Sequence, residues 1–430
     1  MRIALLFALT AGAAAAQDLG PRPEFAPVDM AQAELGQLLF YDPVLSGNRN
    51  ISCATCHHPR FGTSDGVPLA IGEGGTGLGP RRRPDPQNPP EQRIPRNAPA
   101  LWNLGAAEFT VMFHDGRLEA DPDEPGGMRT PLGQEMVEGF DSVLSAQARL
   151  PVLSGDEMAG HYSEYEVSQA VRLGHLSLEG GAWDRIAARV AAIPDYRSRF
   201  DAVLGEAAPI RFTDISNAIA AFIRFEWRAD QSPFDIAMNG GAALPEDAAR
   251  GQQLFYGDAG CSSCHSGWLQ TDHAFHAIAL PQIGPGKAAR FENHARDEGR
   301  MRVTGDPADA YRFRTPSLRN VALTAPYGHN GAYASLEAML RHHLNPVAAL
   351  QAYDRSQAVF PGFEAEDWRV LDDAEETARI AAANELAPVK LTDAEVAELL
   401  AFLNALTDEA AVKGRMGIPD SVPSGLPVDR

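Results

Sequence analysis

The chain has 430 residues and a formal net charge of −20, from 57 acidic and 37 basic side chains. Such an excess of negative charge would repel phosphates, so we expect no nucleic-acid partner. No stretch reaches about eighteen consecutive apolar residues, so we expect no membrane span.

The chain opens with MRIALLFALTAGAAAAQ, in which Arg2 precedes a short apolar run, and Ala14 and Ala16 form a small-residue cleavage pattern. This arrangement is typical of a secretory signal peptide, which we predict over residues 1–16. We therefore expect an exported, periplasmic protein. The remaining length suggests two or three domains.

Two distant segments share one pattern. GQLLFYDPVLSGNRNISCATCHHP begins at Gly36, and GQQLFYGDAGCSSCHSG begins at Gly251. Each predicts a helix end, a turn and then a Cys-x-x-Cys-His motif. This motif is the attachment signature of c-type haem, in which both thiols form thioethers and the histidine binds the iron. The predicted haem ligands are Cys53, Cys56 and His57 at the first motif, and Cys261, Cys264 and His265 at the second.

All four cysteines of the chain belong to these two motifs. A disulfide within each pair would leave the adjacent histidine unexplained twice. A shared zinc site would have to join Cys53 to Cys261, which stand 208 residues apart along the chain. We therefore predict two covalently bound haem c groups.

The remaining segments predict a mainly α fold with long loops. Residues 73–99 are rich in Gly, Pro and Arg and predict a loop that follows the first motif. Residues 165–204 and 213–229 are predicted to be helical, and the second stretch has apolar residues at helical spacing with Asp214 as a possible N-cap. Residues 231–245 are interpreted as a linker between two halves.

The segment LTDAEVAELLAFLNALTD, residues 391–408, predicts an amphipathic helix with Thr392 as N-cap and Glu395 completing a capping box. It is similar to the closing helix of a cytochrome c domain, so we expect two cytochrome c-like haem domains. The predicted order is an N-terminal haem domain, a C-terminal haem domain and a tail, over residues 17–232, 233–408 and 409–430.

Further motifs follow each Cys-x-x-Cys-His. They are RNAP (96–99), FHDGR (113–117), QARLPVLSGDEM (147–158) and RTPSLRNVALTAPYGHNG (314–331). With them the chain resembles the bacterial dihaem cytochrome c peroxidase and MauG superfamily, and is closer to its MauG-like branch. The resemblance implies that the first haem reacts with hydrogen peroxide. It also implies a six-coordinate second haem that handles electrons, and a calcium ion between the two.

Cleavage of the peroxide O–O bond requires an acid/base group beside an open iron position. In the superfamily this group is a glutamate in a Glu-Met pair that follows a Gln-Ala…Pro segment. The corresponding residue here is Glu157, which follows Gln147 and Pro151. The segment GQEM offers Glu135 as a competing candidate within an apparent insertion.

Two positions depart from the superfamily pattern. Peroxidases often carry a histidine sixteen residues after the first haem histidine, and this ligand leaves the iron on activation; here the position is Glu73. We therefore infer a first haem that is open without reductive activation. The superfamily usually has tryptophan where this chain has His114, which we keep as a candidate catalytic residue. Three tryptophans are alternative electron relays, although core packing is the favoured interpretation: Trp102, Trp227 and Trp268.

The sixth ligand of the second haem comes, in the superfamily, from the helix after PYGHNG. It is a methionine in the peroxidases and a tyrosine in MauG, fourteen residues past the motif histidine. Counted from His329, this position is His343, which shares one helix face with Met339. We predict a bis-histidine second haem, held by His265 and His343. Met339, His342 and the absence of a sixth protein ligand are the alternatives.

The resemblance also assigns polar residues around the haems. Calcium is expected at the Asn97 side chain and at backbone carbonyls near Thr324 and Pro326, since oxygen ligands suit this hard cation. Arg314 and Arg319 are candidate partners of the haem propionates. Three further histidines are expected to be structural residues near the second haem: His273, His276 and His329.

Two enzymatic functions fit the sequence. A MauG-like enzyme would react with hydrogen peroxide to form high-valent haem and would oxidise a partner protein, typically at tryptophan. The loop around IGEGGTGLG resembles MauG homologues found with methanobactin and copper-handling proteins. A peroxidase would instead reduce hydrogen peroxide to water with electrons from a small cytochrome or cupredoxin. A dihaem electron carrier is the non-enzymatic alternative, but a carrier would not need Glu157 above an open iron.

Overall fold

The structure is a computed structural model that describes residues 19–133, 137–161, 164–288 and 292–430. The predicted signal peptide, residues 1–16, and the alternative acid/base Glu135 lie outside the described residues. Within the described ranges, no helix has both the length and the apolar character needed to cross a membrane.

Helices dominate the described residues, and strands occur only as short antiparallel pairings, so the predicted mainly α fold is confirmed. The helices are α1 (Met30–Tyr41), α2 (Cys53–Cys56), α3 (Val143–Ala148), α4 (Glu166–Arg172), α5 (Ala182–Ala191), α6 (Pro194–Leu204), α7 (Phe212–Glu226), α8 (Pro233–Met238), α9 (Glu246–Tyr256), α10 (Met301–Thr304), α11 (Leu336–Leu344), α12 (Pro346–Gln351), α13 (Ala374–Ala382), α14 (Asp393–Asn404) and α15 (Glu409–Lys413). The strands are β1 (Gly75–Thr76), β2 (Arg83–Pro84), β3 (Val111–Met112), β4 (Leu118–Ala120), β5 (Met128–Arg129), β6 (Phe275–His276) and β7 (Phe313–Arg314). Strand β1 pairs with β2, β4 lies between β3 and β5, and β6 pairs with β7.

Two crossed helix pairs organise the molecule: α1 packs on α7 in the first half, and α9 packs on α14 in the second. At each crossing a glycine lies against a backbone carbonyl of the partner helix. A Cβ atom added at Gly36 would stand 1.8 Å from the carbonyl oxygen of Ala218, and one added at Gly251 would stand 1.9 Å from that of Glu398. Both glycines begin the Gly-Gln-x-Leu-Phe-Tyr repeat, so the close approach of two backbones explains why glycine opens both copies.

The same crossings are packed by aromatic rings. The ring centroids of Phe40 and Phe222 lie 5.4 Å apart in the first pair, and those of Phe255 and Phe402 lie 5.1 Å apart in the second. All four side chains are buried. Burial of this apolar surface stabilises each helix pair within its own half. The two halves therefore repeat one arrangement, in which a helix leads into a Cys-x-x-Cys-His motif and a later helix closes over it.

Three local predictions need correction. The stretch 165–204 is not continuous, because glycine and proline interrupt it and separate α4, α5 and α6. Helix α7 begins at Phe212, and Asp214 lies inside its first turn instead of capping it. The Asp214 carboxylate accepts a 2.8 Å hydrogen bond from the Arg211 backbone N–H. The predicted linker, 231–245, contains the short helix α8.

The capping box predicted for the closing helix is confirmed. The Thr392 hydroxyl accepts a 3.3 Å hydrogen bond from the Glu395 N–H, and the Glu395 carboxylate accepts one of 2.7 Å from the Thr392 N–H. These two bonds satisfy backbone donors that the first turn of α14 would otherwise leave free.

A buried ion network joins the two halves. The Arg96 guanidinium donates to Asp297 from Nε at 2.6 Å and from Nη2 at 2.7 Å, and its Nη1 lies 2.6 Å from Asp115 Oδ2. Arg93 and Asp367 form a second buried pair, 3.0 Å apart. Because these charges are shielded from water, removal of one partner would cost about 3–5 kcal/mol.

The C-terminal residues return from the second half to the first. Backbone N–H groups of residues 415–417 donate to the carboxylate of Glu226, at the end of α7. The Ser424 hydroxyl donates to Asp42 at 2.6 Å. Apolar side chains of the same segment pack against the core of the first half. The residues predicted as a tail, 409–430, are thus anchored to the first half.

Candidate active site

The first Cys-x-x-Cys-His motif forms one short helical turn, α2. The Ser52 backbone N–H donates to Thr55 Oγ1 at 3.0 Å, which closes the start of the turn. His57 follows the turn, and its Nδ1 donates to the Thr63 carbonyl oxygen at 3.1 Å. This bond leaves Nε2 as the ring atom available to iron. Burial lowers the pKa of His57, so the ring is neutral at pH 7, as a metal ligand must be.

The second motif repeats this arrangement. His265 Nδ1 donates to the Gln270 carbonyl oxygen at 3.0 Å, and burial lowers the pKa of His265 to about 4. The four cysteines form no disulfide. Burial raises the pKa of the Cys53 thiol to about 12 and that of the Cys261 thiol to about 11. Two free thiols beside a neutral imidazole are the donor set that covalent haem attachment requires, so both motifs fit the group.

A cavity of about 570 Å³ lies beside the second motif. Its lining includes both His265 and His343, the latter from α11. His343 Nδ1 donates to the Met339 carbonyl oxygen at 2.9 Å, which is the pattern of the two motif histidines. After burial, the nearby His343 ring also helps to lower the pKa of His265, so the two rings lie close together. A largely apolar cavity of this size suits a bound cofactor.

The neighbouring histidine of α11 is engaged elsewhere. His342 Nδ1 accepts a 2.8 Å hydrogen bond from the Tyr333 hydroxyl, and its Nε2 donates to the Ile278 carbonyl oxygen at 2.7 Å. Both ring nitrogens are therefore occupied. Met339 also lines the cavity, one helical turn before His343. The structure thus brings His343 and Met339 to the cavity of His265 and holds His342 by other partners.

The two arginines predicted to meet haem propionates have different surroundings. Arg314 lines the cavity and is paired with no carboxylate of the described residues; its Nε donates to the Phe113 carbonyl oxygen at 3.2 Å. Burial lowers the pKa of Arg314 to about 10. A buried guanidinium without a counter-charge fits a propionate group. Arg319 differs, because it pairs with the Asp235 carboxylate and its charge is matched within the protein.

Glu157 lies on a single π-helical turn, Gly155–Ala159. Such turns are rare and occur frequently at functional sites. Burial raises the pKa of Glu157, although the positive charges of Lys287 and Arg117 oppose the rise. The charge of Glu157 in turn contributes to the raised pKa of Cys56, so the carboxyl group lies near the first motif. A carboxyl group whose pKa is moved towards neutrality is suited to accept and return a proton.

The loop that carries Glu73 is fastened to the same turn. The Glu73 backbone N–H donates to the Asp156 carbonyl oxygen at 2.9 Å. Its carboxylate accepts hydrogen bonds from Asn48 at 3.0 Å and from Asn50 at 2.7 Å. Arg82 donates to three carbonyl oxygens of the same loop, at 2.5, 2.6 and 2.8 Å. The side chain that replaces the superfamily's mobile histidine is therefore fixed in the protein interior.

His114 connects two of the quoted motifs. Its Nε2 donates to the Asn97 carbonyl oxygen at 3.1 Å, and its own carbonyl oxygen accepts a 2.7 Å hydrogen bond from the Arg314 backbone N–H. Burial and the charge of Arg96 lower the pKa of His114 to about 4. The ring is therefore neutral at pH 7. It lines the cavity beside the second motif. The ring therefore contacts the RNAP segment of its own half, and the His114 backbone links that half to the second.

The residues predicted for calcium also meet at this cavity. Asn97, Thr324 and Pro326 are all part of its lining. The Asn97 side-chain amide donates to the carbonyl oxygens of Val67 and Pro68, at 2.8 and 3.3 Å. Its Oδ1 accepts no hydrogen bond from the residues that the structure describes. An amide oxygen so oriented is compatible with a cation ligand.

The three tryptophans differ in position. Trp227 is packed among aromatic rings in the core of the first half, as the packing interpretation predicts. Trp102 is buried and lines the cavity beside the second motif. Its indole N–H meets no acceptor among the described residues. Trp268, three residues after His265, is partly exposed, with the Arg22 guanidinium 5.1 Å from its ring centroid. Trp102 and Trp268 are therefore the two that adjoin the second site.

The three histidines expected to be structural have protein partners. His276 lies between Asp272 and Glu385, at 3.0 Å from each carboxylate. The other two pack against aromatic rings, with His329 stacked on Phe313 and His273 edge-on to Phe109. These contacts agree with a structural role beside the second site.

Several residues around the site were missed by sequence reasoning. Arg96 and Asp115 belong to quoted motifs, but their pairing was not predicted, because the two motifs are separate in the sequence. Lys287, which faces Glu157 from the second half, carries no local signal. The contacts of Glu73 with Asn48 and Asn50 carry none either, because the partners are distant along the chain.

The chain is similar in sequence to known proteins. The family model for di-haem cytochrome c peroxidase matches residues 30–243. Methylamine utilization protein MauG of Methylorubrum extorquens is 33% identical over 328 residues, which cover 75% of this chain and 71% of that protein. Cytochrome c551 peroxidase of Nitrosomonas europaea is 30% identical over 338 residues, which cover 78% of this chain and 80% of that protein.

Solved structures give the same picture. A MauG-like protein associated with microbial copper homeostasis superposes with a TM-score of 0.58 at 28% identity, over 94% of this chain and 97% of that chain. The diheme peroxidase BthA from Burkholderia thailandensis superposes with a TM-score of 0.56 at 22% identity, over 95% and 92% of the two chains. The second likeness bears on the fold alone.

Proposed function

The chain belongs to the di-haem cytochrome c peroxidase family, and on this premise we propose that it is a periplasmic haem-dependent oxidoreductase that uses hydrogen peroxide to oxidise a partner protein. The proposed target on the partner is a tryptophan side chain. The likeness to MauG and to a MauG-like structure supports this choice. The replacement of the loop histidine by Glu73 supports it as well.

The observation that carries the proposal is the contrast between the two sites. His265 and His343 lie at one cavity, whereas Glu157 is half-buried near Cys56 of the first motif. When bound, the haems would supply the redox chemistry, with peroxide reacting at the first iron and electrons stored and passed at the second. One site is thus built for two imidazole ligands and the other for an imidazole and an acid/base carboxyl group.

Glu157 performs the proton transfer in this proposal. Its carboxylate takes a proton from one peroxide oxygen and returns it to the other, so that water can leave. Burial favours the protonated form, while Lys287 and Arg117 favour the carboxylate. These opposing influences act on the two forms between which an acid/base group must pass.

The first site is proposed to react without prior reduction. Glu73 is held by Asn48 and Asn50, and the loop around it is tied to its surroundings by Arg82. A carboxylate so held cannot serve as the exchangeable imidazole ligand of the peroxidases. When haem is bound, the Glu73 loop would therefore contribute no histidine that has to leave the first site before peroxide enters.

The pair His265 and His343 sets the electron chemistry of the second site. Two imidazoles stabilise ferric iron more than an imidazole and a thioether do, because methionine raises the potential. A high-potential cytochrome would then be a poor electron donor to this site. Trp268, partly exposed beside the second motif, is the proposed point at which a partner protein delivers electrons.

Calcium is proposed as a structural ion between the sites. Asn97 Oδ1 and the carbonyl oxygens near Thr324 and Pro326 would supply neutral oxygen ligands. Chelation followed by calcium return should reversibly change the spectrum of the haems if this ion orders the wall that they share. An unchanged spectrum after chelation of the calcium-loaded protein would contradict the proposal.

A peroxide titration tests the proposed function. The protein is mixed with hydrogen peroxide, with and without a reduced small cytochrome, and the haem spectrum and the oxidation of the cytochrome are followed. We expect a spectral change on mixing the fully ferric protein with peroxide, and slow turnover of the cytochrome. Rapid cytochrome oxidation that requires prior reduction of the protein would contradict the proposal.

Cytochrome c peroxidase activity is the second candidate. The observation that favours it is the 30% identity with a cytochrome c551 peroxidase over most of both chains. In that case the chain would return peroxide to water with electrons from a small redox protein. The same titration separates the two candidates, because only a peroxidase would consume the reduced donor in rapid, repeated turnovers.

A further inference from the structure

The last residues of the chain reach the first haem motif. We define the C-terminal strap as residues 414–430. Glu226 holds its beginning through backbone N–H groups, and Asp42 holds its middle through Ser424. Its end lies against Thr55, which stands between the two cysteines of the first motif. The strap therefore runs from the second half of the molecule to the outer side of the first motif.

The contact at Thr55 is made by a carboxylate. Thr55 Oγ1 donates to Asp429 Oδ2 at 2.5 Å and accepts the 3.0 Å hydrogen bond from the Ser52 N–H. Thr55 is only 2% exposed, so water does not compete for this hydroxyl group. Asp429 also lies close to His58, the residue that follows the iron ligand. Asp429 thus lies beside the motif on both sides of His57.

The charge of Asp429 is not cancelled by a direct ion pair. No basic group of the described residues lies within salt-bridge distance of it. Arg82 is near enough for the negative charges of Asp429 and Asp65 to oppose the fall in its pKa that burial causes. Its guanidinium, however, donates its hydrogen bonds to carbonyl oxygens of its own loop. Asp429 therefore brings to the first motif a negative charge that no direct ion pair cancels.

We propose that Asp429 is a positioning residue of the first haem. Through Thr55 it fixes the turn that holds the two thiols and His57, and its charge stabilises the ferric state of the iron at that site. The inference rests on the proposed function, which places the peroxide-reactive haem at this motif. The negative charge of Asp429 acts on the first haem through the buried turn of the motif. The dielectric constant there is low, so screening by salt is weak.

The experiment compares midpoint potentials in holoprotein variants. D429N keeps the shape and a hydrogen-bond acceptor at the strap end but removes the charge. D420N is the matched control, because Asp420 lies on the same strap, is fully exposed and contacts Arg430 at 3.1 Å. Redox titration follows the two haems separately, and intact mass confirms that each variant holds both.

We expect D429N to raise the midpoint potential of the peroxide-reactive haem and to leave the other haem unchanged, with D420N equal to the unmodified protein. Equal potentials in D429N and D420N, or a shift of both haems alike, would overturn the proposal. If D429N retains fewer than two haems, D429E decides the matter. Recovery of both haems in D429E supports the positioning role, and their loss there overturns it.

A second pair of variants tests the route through Thr55. T55S keeps the hydroxyl group and T55V removes it at nearly constant volume. We expect T55S to resemble the unmodified protein, and T55V to expose the strap to limited proteolysis near its end. Equal proteolysis of the two would overturn the contact. Failure of the proposed function would appear instead in the unmodified protein, as an absent reaction with peroxide.

Discussion

Three histidines of this chain share one hydrogen-bonding pattern, in which Nδ1 donates to a backbone carbonyl oxygen. They are His57, His265 and His343. The pattern fixes the tautomer and presents Nε2 to the site, which is how proteins orient imidazole ligands. His342 lacks it, because both of its nitrogens are bonded within the protein. The hydrogen bonds of the two rings therefore distinguish His343 from His342 as a candidate ligand more clearly than their positions on the helix do.

Replacement of the proposed acid/base tests the first site. We expect E157Q to lose the reaction with peroxide by about 10²–10⁴-fold, the usual contribution of one acid/base group, while both haems remain attached. Stopped-flow spectroscopy with peroxide measures the rate, and intact mass measures the haem content. E135Q is the matched control. A normal rate in E157Q together with a slow rate in E135Q would transfer the role to Glu135.

The pH dependence of the same rate follows from the position of Glu157. The carboxylate is the form that accepts the peroxide proton, and burial raises the pKa of Glu157 above its ordinary value. The rate should therefore rise as pH increases through this raised pKa, and should level off above it. In E157Q the rise should vanish. A rise of unchanged size in E157Q would mean that another group titrates.

Removal of the distal ligand tests the second site. H343A should abolish the low-spin signal of the second haem in low-temperature EPR, since the other histidines that line the cavity are held by contacts of their own. M339L is the control, and should leave the signal unchanged. A low-spin signal that survives H343A, or that disappears in M339L, would assign the ligand to another side chain.

At the residue scale the sequence offers candidate ligands but not the contacts that support them. Spacing from His329 predicts His343, because an α-helix fixes which residues share a face. Nothing local predicts that Asn48 and Asn50 hold Glu73, or that Lys287 faces Glu157. Such contacts depend on how distant segments pack, and a single sequence carries no pattern for them.

At the element scale the helix pairs explain the repeat. Gly36 and Gly251 occupy the same place in their copies of the repeat, and each brings two backbones into contact. The repeat and the closing helix were predictable from the amino-acid sequence, because capping and amphipathic patterns are local. The breaks within 165–204 and the helix inside the predicted linker were not, since periodicity specifies helix ends poorly.

The helix crossings can be tested by adding one methyl group. G251A would place a Cβ atom 1.9 Å from the Glu398 carbonyl oxygen, so α9 and α14 must separate. Overpacking of this kind costs about 1–3 kcal/mol or more. Chemical unfolding should show this loss of stability. The control is G362A, whose added Cβ atom would meet only the Arg83 side chain, with Cδ nearest at 3.7 Å. This variant should change the free energy of unfolding by less than about 0.5 kcal/mol. Equal stability of the two variants would contradict the close crossing.

At the scale of the whole molecule, the halves are tied together in two ways. The Arg96 network bridges them through the interior, and the C-terminal strap returns from the second half to the first motif. The two-part organisation was predictable from two haem motifs. The strap was not, because residues 409–430 have the composition of a free tail and their partners, Glu226 and Asp42, lie far away along the chain.

Low-temperature EPR of the fully ferric protein tests the central claim most directly. The claim is that one site holds an iron with an open position and that the other holds an iron between His265 and His343. We predict one high-spin signal and one low-spin signal of the bis-imidazole type, in equal amounts. Two low-spin signals, or the absorption band of a methionine–iron bond, would contradict the account.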